Sequence, residues 1–506
     1  MGIPRIHIGS GLLLDLERSI RFEWIITNGL GGYASSTVLG VNTRKYHGLL
    51  VAAFNPPTDR RVILTKLDEE LRIGDESYFL GSNEFRGVIH PEGYKHMRSF
   101  SLEPFPTFRY ETRRVYLRKT LFMPQFKNMV VSCYDAHNTL DEPVEIRIFP
   151  LVNSRHFYDV TNRNEQKPTF LQEPFEEGVH LWTTSPASHL IIWSPQGHYS
   201  SKENERRWID KIYFRVDDMR GEACLDDNYQ PGFFIISVKP EERKSFQVVA
   251  VADKDEADAK STFSSVRKEE SIELLYNEEL SRKKNLLRSL VGENQHEKAE
   301  DWLKLLVLST DLFIVQKRST GKKSIIAGYH WFEDWGRDSL ISLSGLTLVT
   351  GRFREAKDVL LTFSNYCKSG LVPNRFPDRT GDQPVYNAVD VSLWLFHAVF
   401  QYLKYSGDFD LVYKELWRTL CSIIQNYEQG TLFNIHMDDD GLIEHGPQLT
   451  WMDAAINEKP VTPREGKSVE VQVLWYNALR IIQVLAKNGG HKKEAEEYGL
   501  LAEKAY

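Results

Sequence analysis

The stretch Trp331–Leu340, WFEDWGRDSL, is where the fold of this chain is decided. A polar, aromatic loop ends there and a helical pattern starts at Arg337. The stretch holds two tryptophans beside Glu333, Asp334, Arg337 and Asp338. Flat indole faces cover the C–H side of a pyranose ring, and an Arg with an Asp holds its hydroxyls. A helix start with a surface salt bridge would use the same residue types. The segments downstream weigh against that plainer reading, because they repeat the sugar-site chemistry.

From Asp301 onward the apolar spacing is helical. Helices are expected over Trp302–Gln316, Arg337–Thr350, Phe353–Tyr366, Val389–Ser406, Phe409–Gln429, Ser468–Asn488 and Lys492 to the end. Long loops, 317–336, 370–388 and 430–467, separate them. Long loops inside a compact domain are usually functional. This alternation suits an (α/α)6 toroid, in which helical hairpins ring a centre and the loops at one end build the site. Closing six hairpins takes twelve helices and about seven are read here, so the toroid is expected to be incomplete in this chain.

The first half is different. Short β-branched or alternating runs recur, among them Gly48–Ala53, Arg61–Lys66, Arg114–Phe122, Met129–Tyr134, Val144–Pro150 and Ser245–Ala252. Turn residues such as Asn55-Pro56-Pro57 separate them, which predicts a large β-sandwich. The expected domains are therefore 1–252 as a β-sandwich, 253–300 as a charged helical linker, and 301–506 as the helical domain.

Bulk composition narrows the partners. The chain has 506 residues, 41% of them hydrophobic, and a net charge of −7 from 63 basic and 70 acidic side chains. No basic surplus favours a nucleic acid or an anionic membrane, whereas a neutral polysaccharide needs no charge bias. The four cysteines, Cys133, Cys224, Cys367 and Cys421, form no CxxC pair and read as buried thiols of a reducing compartment. The N-terminus lacks a signal-peptide pattern, and no run of about 18 apolar residues is present. A cytoplasmic location follows as the expectation.

The remaining loop segments are GLVPNRFPD (Gly370–Asp378), YNAVDVSLW (Tyr386–Trp394, with Asn387 and Asp390), GLIEHGPQLTWMDA (Gly441–Ala454, with Trp451 and Asp453) and VTPREGKSVE (Val461–Glu470, with Arg464). Hydrolysis of an acetal needs one carboxylic acid to protonate the leaving oxygen and a second carboxylate to activate water or attack. Asp334, Asp338, Asp390, Glu444, Asp453, Glu465 and Glu470 are all candidates, and position alone does not choose among them. Asp338 and Asp390 also sit where a helix N-cap would be.

Together, WFEDWGRDSL, GLVPNRFPD, TWMDA and VTPREGKSVE resemble the glucosidase domain of glycogen debranching enzymes. EWIITNGLGGYASSTVLGVNTRKYHGLLVA, Glu23–Ala52, resembles the N-terminal domain of the shorter bacterial and archaeal members. The resemblance covers most of the chain, in the family's order. It implies a β-supersandwich followed by an (α/α)6 barrel, and hydrolysis of α-1,6-linked glucose at the branch points of glycogen or branched dextrins with inversion. It implies Asp453 as the general acid, with Arg337 and Asp338 holding glucose hydroxyls and Trp331, Trp335 and Trp451 as platforms. Arg464 and Glu470 match the loop after the acid, and Asp334, Asn387 and Asp390 complete the expected substrate-binding set. The family's base is a Glu far downstream, so it is expected beyond Tyr506 and the chain is expected to be truncated. No metal or cofactor is expected.

Other signals point elsewhere. GLGGYA, Gly29–Ala34, fits a loose dinucleotide pattern, but poor helix formers follow it, so a glycine-rich turn before a strand is expected. Asp438–Gly441 lacks the spacing of a calcium loop and reads as a tight turn. Two rival functions stand beside the hydrolase. One is a phosphate-dependent disaccharide phosphorylase of related architecture; the other is a glucan-binding protein without a base.

Overall fold

The structure, a computed structural model, describes residues 3–166, 168–202, 206–267, 269–291, 299–377 and 383–506. Asp378, the last residue of the GLVPNRFPD segment, and parts of the expected 253–300 linker lie outside the described residues. The chain divides into two compact units, Met1–Leu308 and Ser309–Tyr506. Among the described residues no helix is long and apolar enough to cross a membrane.

The first unit is built from two large antiparallel sheets. Among the described residues one sheet has nine strands, with Met97–Leu102, Pro106–Thr112, Val115–Phe122, Met129–Asn138 and Arg243–Asp253 side by side within it. The other has ten, centred on Thr58–Ile73, which pairs with both Gly48–Asn55 and Val144–His156. Side chains alternate across each strand. In Val115–Phe122, Val115, Leu117 and Leu121 are buried while Tyr116 and Arg118 are exposed. Phe100, Phe108, Leu117 and Phe246 of the first sheet share one core with Ile63, Leu71, Ile146 and Phe234 of the second. Burying a side chain of this size contributes about 1.5–3 kcal/mol.

Thr58–Ile73 is longer than the expected Arg61–Lys66 strand. Its second half carries Lys66, Asp68, Glu69 and Glu70, which break the apolar pattern. They are accommodated by pairing: Lys66 Nζ lies 2.9 Å from Asp68, and Lys119 Nζ lies 2.6 Å from Glu69. The helices Glu256–Val266 and Glu269–Val291 cover part of the outer face of the nine-stranded sheet, around Phe105, Phe122, Met129, Val131 and Ile272.

The GLGGYA segment is a turn between the strands Glu23–Thr27 and Tyr33–Thr37, with no helix after it. Gly31 has φ +89°, and a Cβ there would come within 2.4 Å of the Pro57 carbonyl oxygen. Glycine is needed for both reasons. The four cysteines are free thiols, each half-buried instead of fully buried.

The second unit is mainly helical. Its helices include Gly336–Leu343, continued by a wide turn to Leu348, then Phe353–Asn365 and Val391–Ser406. Phe409–Gln429, which has a wide turn at Val412–Leu416, Val469–Asn488 and Lys492–Ala505 follow. The expected helix Trp302–Gln316 is shorter: Asp301–Thr310 is helical, but Ile314–Lys317 pairs with Lys322–Ile325 in a hairpin. The β-branched pair Ile314-Val315 and the left-handed Gly321 favour that hairpin over a fourth helical turn. Val469–Asn488 buries Val471, Trp475, Ala478, Leu479, Ile482 and Leu485, the spacing of one helix face. These join a single core with residues from the other helices of this unit.

Candidate active site

Three loops of the second unit are laced together by backbone hydrogen bonds. Asp334-Trp335 pairs with Arg375-Phe376, which joins the loop before Gly336 to the 370–388 loop. Gly336 N donates to Asn374 O at 2.8 Å, and Val389 N donates to Leu449 O at 2.8 Å, joining the 370–388 loop to the 430–467 loop. Tyr427 Oη then donates to Val389 O at 2.7 Å from the buried core side. WGRD, Asp390 and TWMD are thus brought to one place by main-chain contacts.

Gly336 has a specific reason to be glycine. A Cβ there would lie 2.1 Å from the Pro373 carbonyl oxygen and 2.9 Å from Val391 Cγ1. The helix carrying Arg337 starts this close to the neighbouring loop only because the side chain is missing.

Arg337 is at the centre of the site. Its Nε and Nη2 donate to the two Asp390 oxygens at 2.6 and 2.8 Å. Burial works against its charge, but the Asp390 hydrogen bonds and the charges of Asp390, Asp338 and Asp453 outweigh this and raise its pKa. Asp390 stands at the N-cap position of Val391–Ser406, yet its side chain caps nothing. Arg337 bonds to both of its oxygens, so Asp390 is a holder of Arg337. The partner of Arg337 is thus Asp390, fifty-three residues away in the chain. Asp338 is instead open to solvent, though crowding by surrounding protein raises its pKa, against the pull of Arg337.

Asp334 also lies off the surface of the site. It is fully buried, with its carboxylate accepting from Lys317 Nζ at 2.9 Å and Ser324 Oγ at 2.8 Å. A carboxylate so enclosed supports the loop and cannot reach a sugar. Glu333 is buried too, 3.4 Å from Arg375. Arg375 in turn lies 5.6 Å over the Trp335 ring, covering one of its faces. Asn387 Oδ1 accepts from Asn374 Nδ2 at 3.2 Å.

The TWMD loop is held at both ends. His445, almost fully buried, contacts Gly446 O at 2.8 Å and Ser468 Oγ at 3.0 Å. Gln448, in the left-handed region at φ +61°, donates from Nε2 to the Asp453 carbonyl at 3.0 Å. Arg464 forms an ion pair with Glu470 and lies 5.8 Å over the Trp451 ring. Trp451 is 58% exposed, and Trp331 is half-buried. Among the described residues, the Asp453 carboxylate makes no hydrogen bond or ion pair, and it is half-buried.

Of the seven candidate carboxylates, Asp334, Asp390 and Glu470 are therefore committed to ion pairs. Asp338, Glu444, Asp453 and Glu465 are not. Of these four, Asp338 and Asp453 both favour the charge of Arg337. Gln448, Lys317 and Arg375 escape a reading of the sequence, because their partners are set by loop closure and no local spacing marks them.

Comparison with known proteins decides the family. A family profile described as "Glycogen debranching enzyme N terminal" matches residues 23–245, and one described as "Amylo-alpha-1,6-glucosidase" matches residues 308–506. The chain belongs to the glycogen debranching enzyme family. The glycogen debranching enzyme of Saccharomyces cerevisiae is 30% identical over 212 aligned residues, which take in 31% of this chain. The match spans 14% of the length of that curated yeast relative. Two solved structures share the fold. A bacterial glucoamylase complexed with acarbose has a TM-score of 0.52 at 10% identity, covering 96% of this chain and 65% of its own. A protein provisionally described as a kojibiose phosphorylase from the human microbiome has a TM-score of 0.57 at 9% identity, covering 99% and 70%. At these identities the likeness is one of fold: a β-rich first unit followed by a helical unit of the (α/α)6 class.

Proposed function

We propose that this debranching-family chain serves a glucan-active glycoside hydrolase that releases glucose from α-1,6 branch points with inversion. Asp453 is the general acid. Arg337, fixed by Asp390, and Asp338 hold hydroxyls of the terminal glucose. Trp331, Trp335 and Trp451 offer apolar faces to the ring, and Arg464, Glu470 and Asn387 shape the surrounding wall. The observation that carries the reading is the isolation of Asp453: it is uncommitted and half-buried, and its charge falls on the same guanidinium as Asp338 and Asp390.

Chemically, an acid must deliver its proton to the glycosidic oxygen, so its carboxyl cannot be locked into a salt bridge. Asp453 meets that condition, and Asp334, Asp390 and Glu470 do not. The base assists water from the opposite side of the ring, with the two carboxyls roughly 6.5–9.5 Å apart. The proposal assigns that base to no residue of this chain. The glucan is the partner; no cofactor is invoked.

Incubation of the full-length protein with a branched dextrin, with and without inorganic phosphate, tests the class of reaction. Free glucose in both conditions is expected. Glucose 1-phosphate appearing only with phosphate would replace the hydrolase with a phosphorylase.

A further inference from the structure

The outer face of the nine-stranded sheet has two halves of opposite character. Where the helices Glu256–Val266 and Glu269–Val291 lie on it, it presents Phe122, Met129, Val131 and Val251. Beyond them the same face turns polar and leaves a groove of about 990 Å³. Strand register places five groove residues in one row: Ser101 opposite Thr107, Thr107 opposite Thr120, Thr120 opposite Cys133, and Cys133 opposite Gln247. A second row runs beside it, from Arg109 through Arg118 and Asp135 to Ser245. Each row crosses strands about 4.8 Å apart, so the first spans roughly 19 Å, the length of several sugar residues.

The lining is rich in hydroxyl and amide groups and has no cationic surplus: two guanidiniums face Glu103, Asp135 and Glu273. Arg118 is paired with Asp135 at 3.3 Å. Arg109 is not: among the described residues it makes no ion pair, and donates only to Ser101 Oγ at 3.2 Å. A guanidinium on a crowded groove floor without a carboxylate has donors to spare, and a hydroxyl-bearing ligand accepts them. Tyr276 lines the groove from the helix side. Its ring is braced against Phe105 and Phe122 at 5.1 and 5.4 Å, a rigid apolar surface of the kind that meets a pyranose face. An anion would want net positive charge, and a protein partner would want an apolar centre. The groove offers neither.

We propose that this groove is a second glucan-binding site, separate from the loops around Arg337, which takes a linear run of a neutral α-glucan chain. It rests on the glucan reading of the protein given above. Its consequence is retention of the protein on glycogen by contacts that take no part in bond cleavage.

Native gel electrophoresis in the presence of glycogen tests this on the full-length protein, with Arg109→Ala and Ser245→Trp as variants. The first removes the unpaired donor; the second adds bulk at an exposed position and keeps the test open should the first disturb folding. Arg109→Ala is expected to raise the glycogen concentration needed for half-retardation by about tenfold, the loss of one charged hydrogen-bond donor, and Ser245→Trp to raise it by blocking the groove. Glucose release from a short branched dextrin is expected to stay at the wild-type rate. Retardation of both variants like wild type, or no retardation of wild type, overturns the second site. If retardation depends on Arg109 but no glucose is released by wild type, the site stands and the hydrolase reading falls.

Discussion

Arg337 and Asp390 form a two-pronged ion pair, with guanidinium nitrogens 2.6 and 2.8 Å from the two carboxylate oxygens. Both side chains are largely shielded from solvent. The pair ties the start of one helix to the start of another across fifty-three residues of chain. It also leaves one guanidinium nitrogen, Nη1, for a ligand. Removing Asp390 would strand a buried cation, which costs about 3–5 kcal/mol. Asp390→Ala is expected to lower the urea midpoint accordingly and to reduce glucan turnover. Unchanged stability in equilibrium unfolding would show that the pair does not brace the site.

Asp334 makes a contrasting prediction. It is fully buried and its Oδ2 accepts from both Lys317 and Ser324, so its loss should act on folding and not on sugar contact. Asp334→Ala is expected to destabilise the second unit by about 3–5 kcal/mol. The double variant Asp334→Ala with Lys317→Met should recover part of that loss, because no unpaired buried charge remains. A double variant as unstable as the single one would contradict this.

Gly336→Ala brings a methyl group within 2.1 Å of a backbone oxygen, an atom that cannot swing aside. A cost of about 1–3 kcal/mol or more is expected from forced overpacking. Denaturant unfolding of the variant measures it, and a midpoint equal to wild type would mean the loop at Pro373 yields freely.

Asp338 supplies a pH dependence. Crowding raises its pKa in the folded chain, with Arg337 pulling the other way. The charged form is thus less favoured folded than unfolded. Its contribution to stability is complete below the ordinary carboxyl pKa and is lost as pH rises through the raised value. Asp338→Asn is expected to be more stable than wild type at neutral pH, with the difference closing on acidification below about pH 4. A difference that stays constant across that range would refute the sign.

Burial pushes the Cys133 thiol up to about 12 and the Cys367 thiol up to about 11. Both should stay protonated at neutral pH and react slowly with iodoacetamide in the native protein. Mass spectrometry after brief labelling checks this; prompt modification of either would contradict it.

The helices of the second unit are legible in the sequence because their apolar spacing is local. Phe353–Asn365 and Val469–Asn488 fall within a residue of where that spacing puts them. The far half of Thr58–Ile73 is not legible, because its buried Lys66 and Glu69 look like surface residues until their partners are in place. The site divides the same way. The residue types that gather around Arg337 stand out as WGRD and TWMD, but which carboxylates are spent and which are open depends on loop closure. Nothing local ties Arg337 to Asp390, fifty-three residues away; loop closure makes them partners.

The most direct test of the whole account is NMR of the glucose first released from a branched dextrin by the full-length protein and by its Asp453→Asn variant. The account predicts β-glucose from wild type, and release slowed by roughly 10²–10⁴-fold in the variant with glucan binding retained. Release of α-glucose, or near-normal turnover by Asp453→Asn, would contradict it.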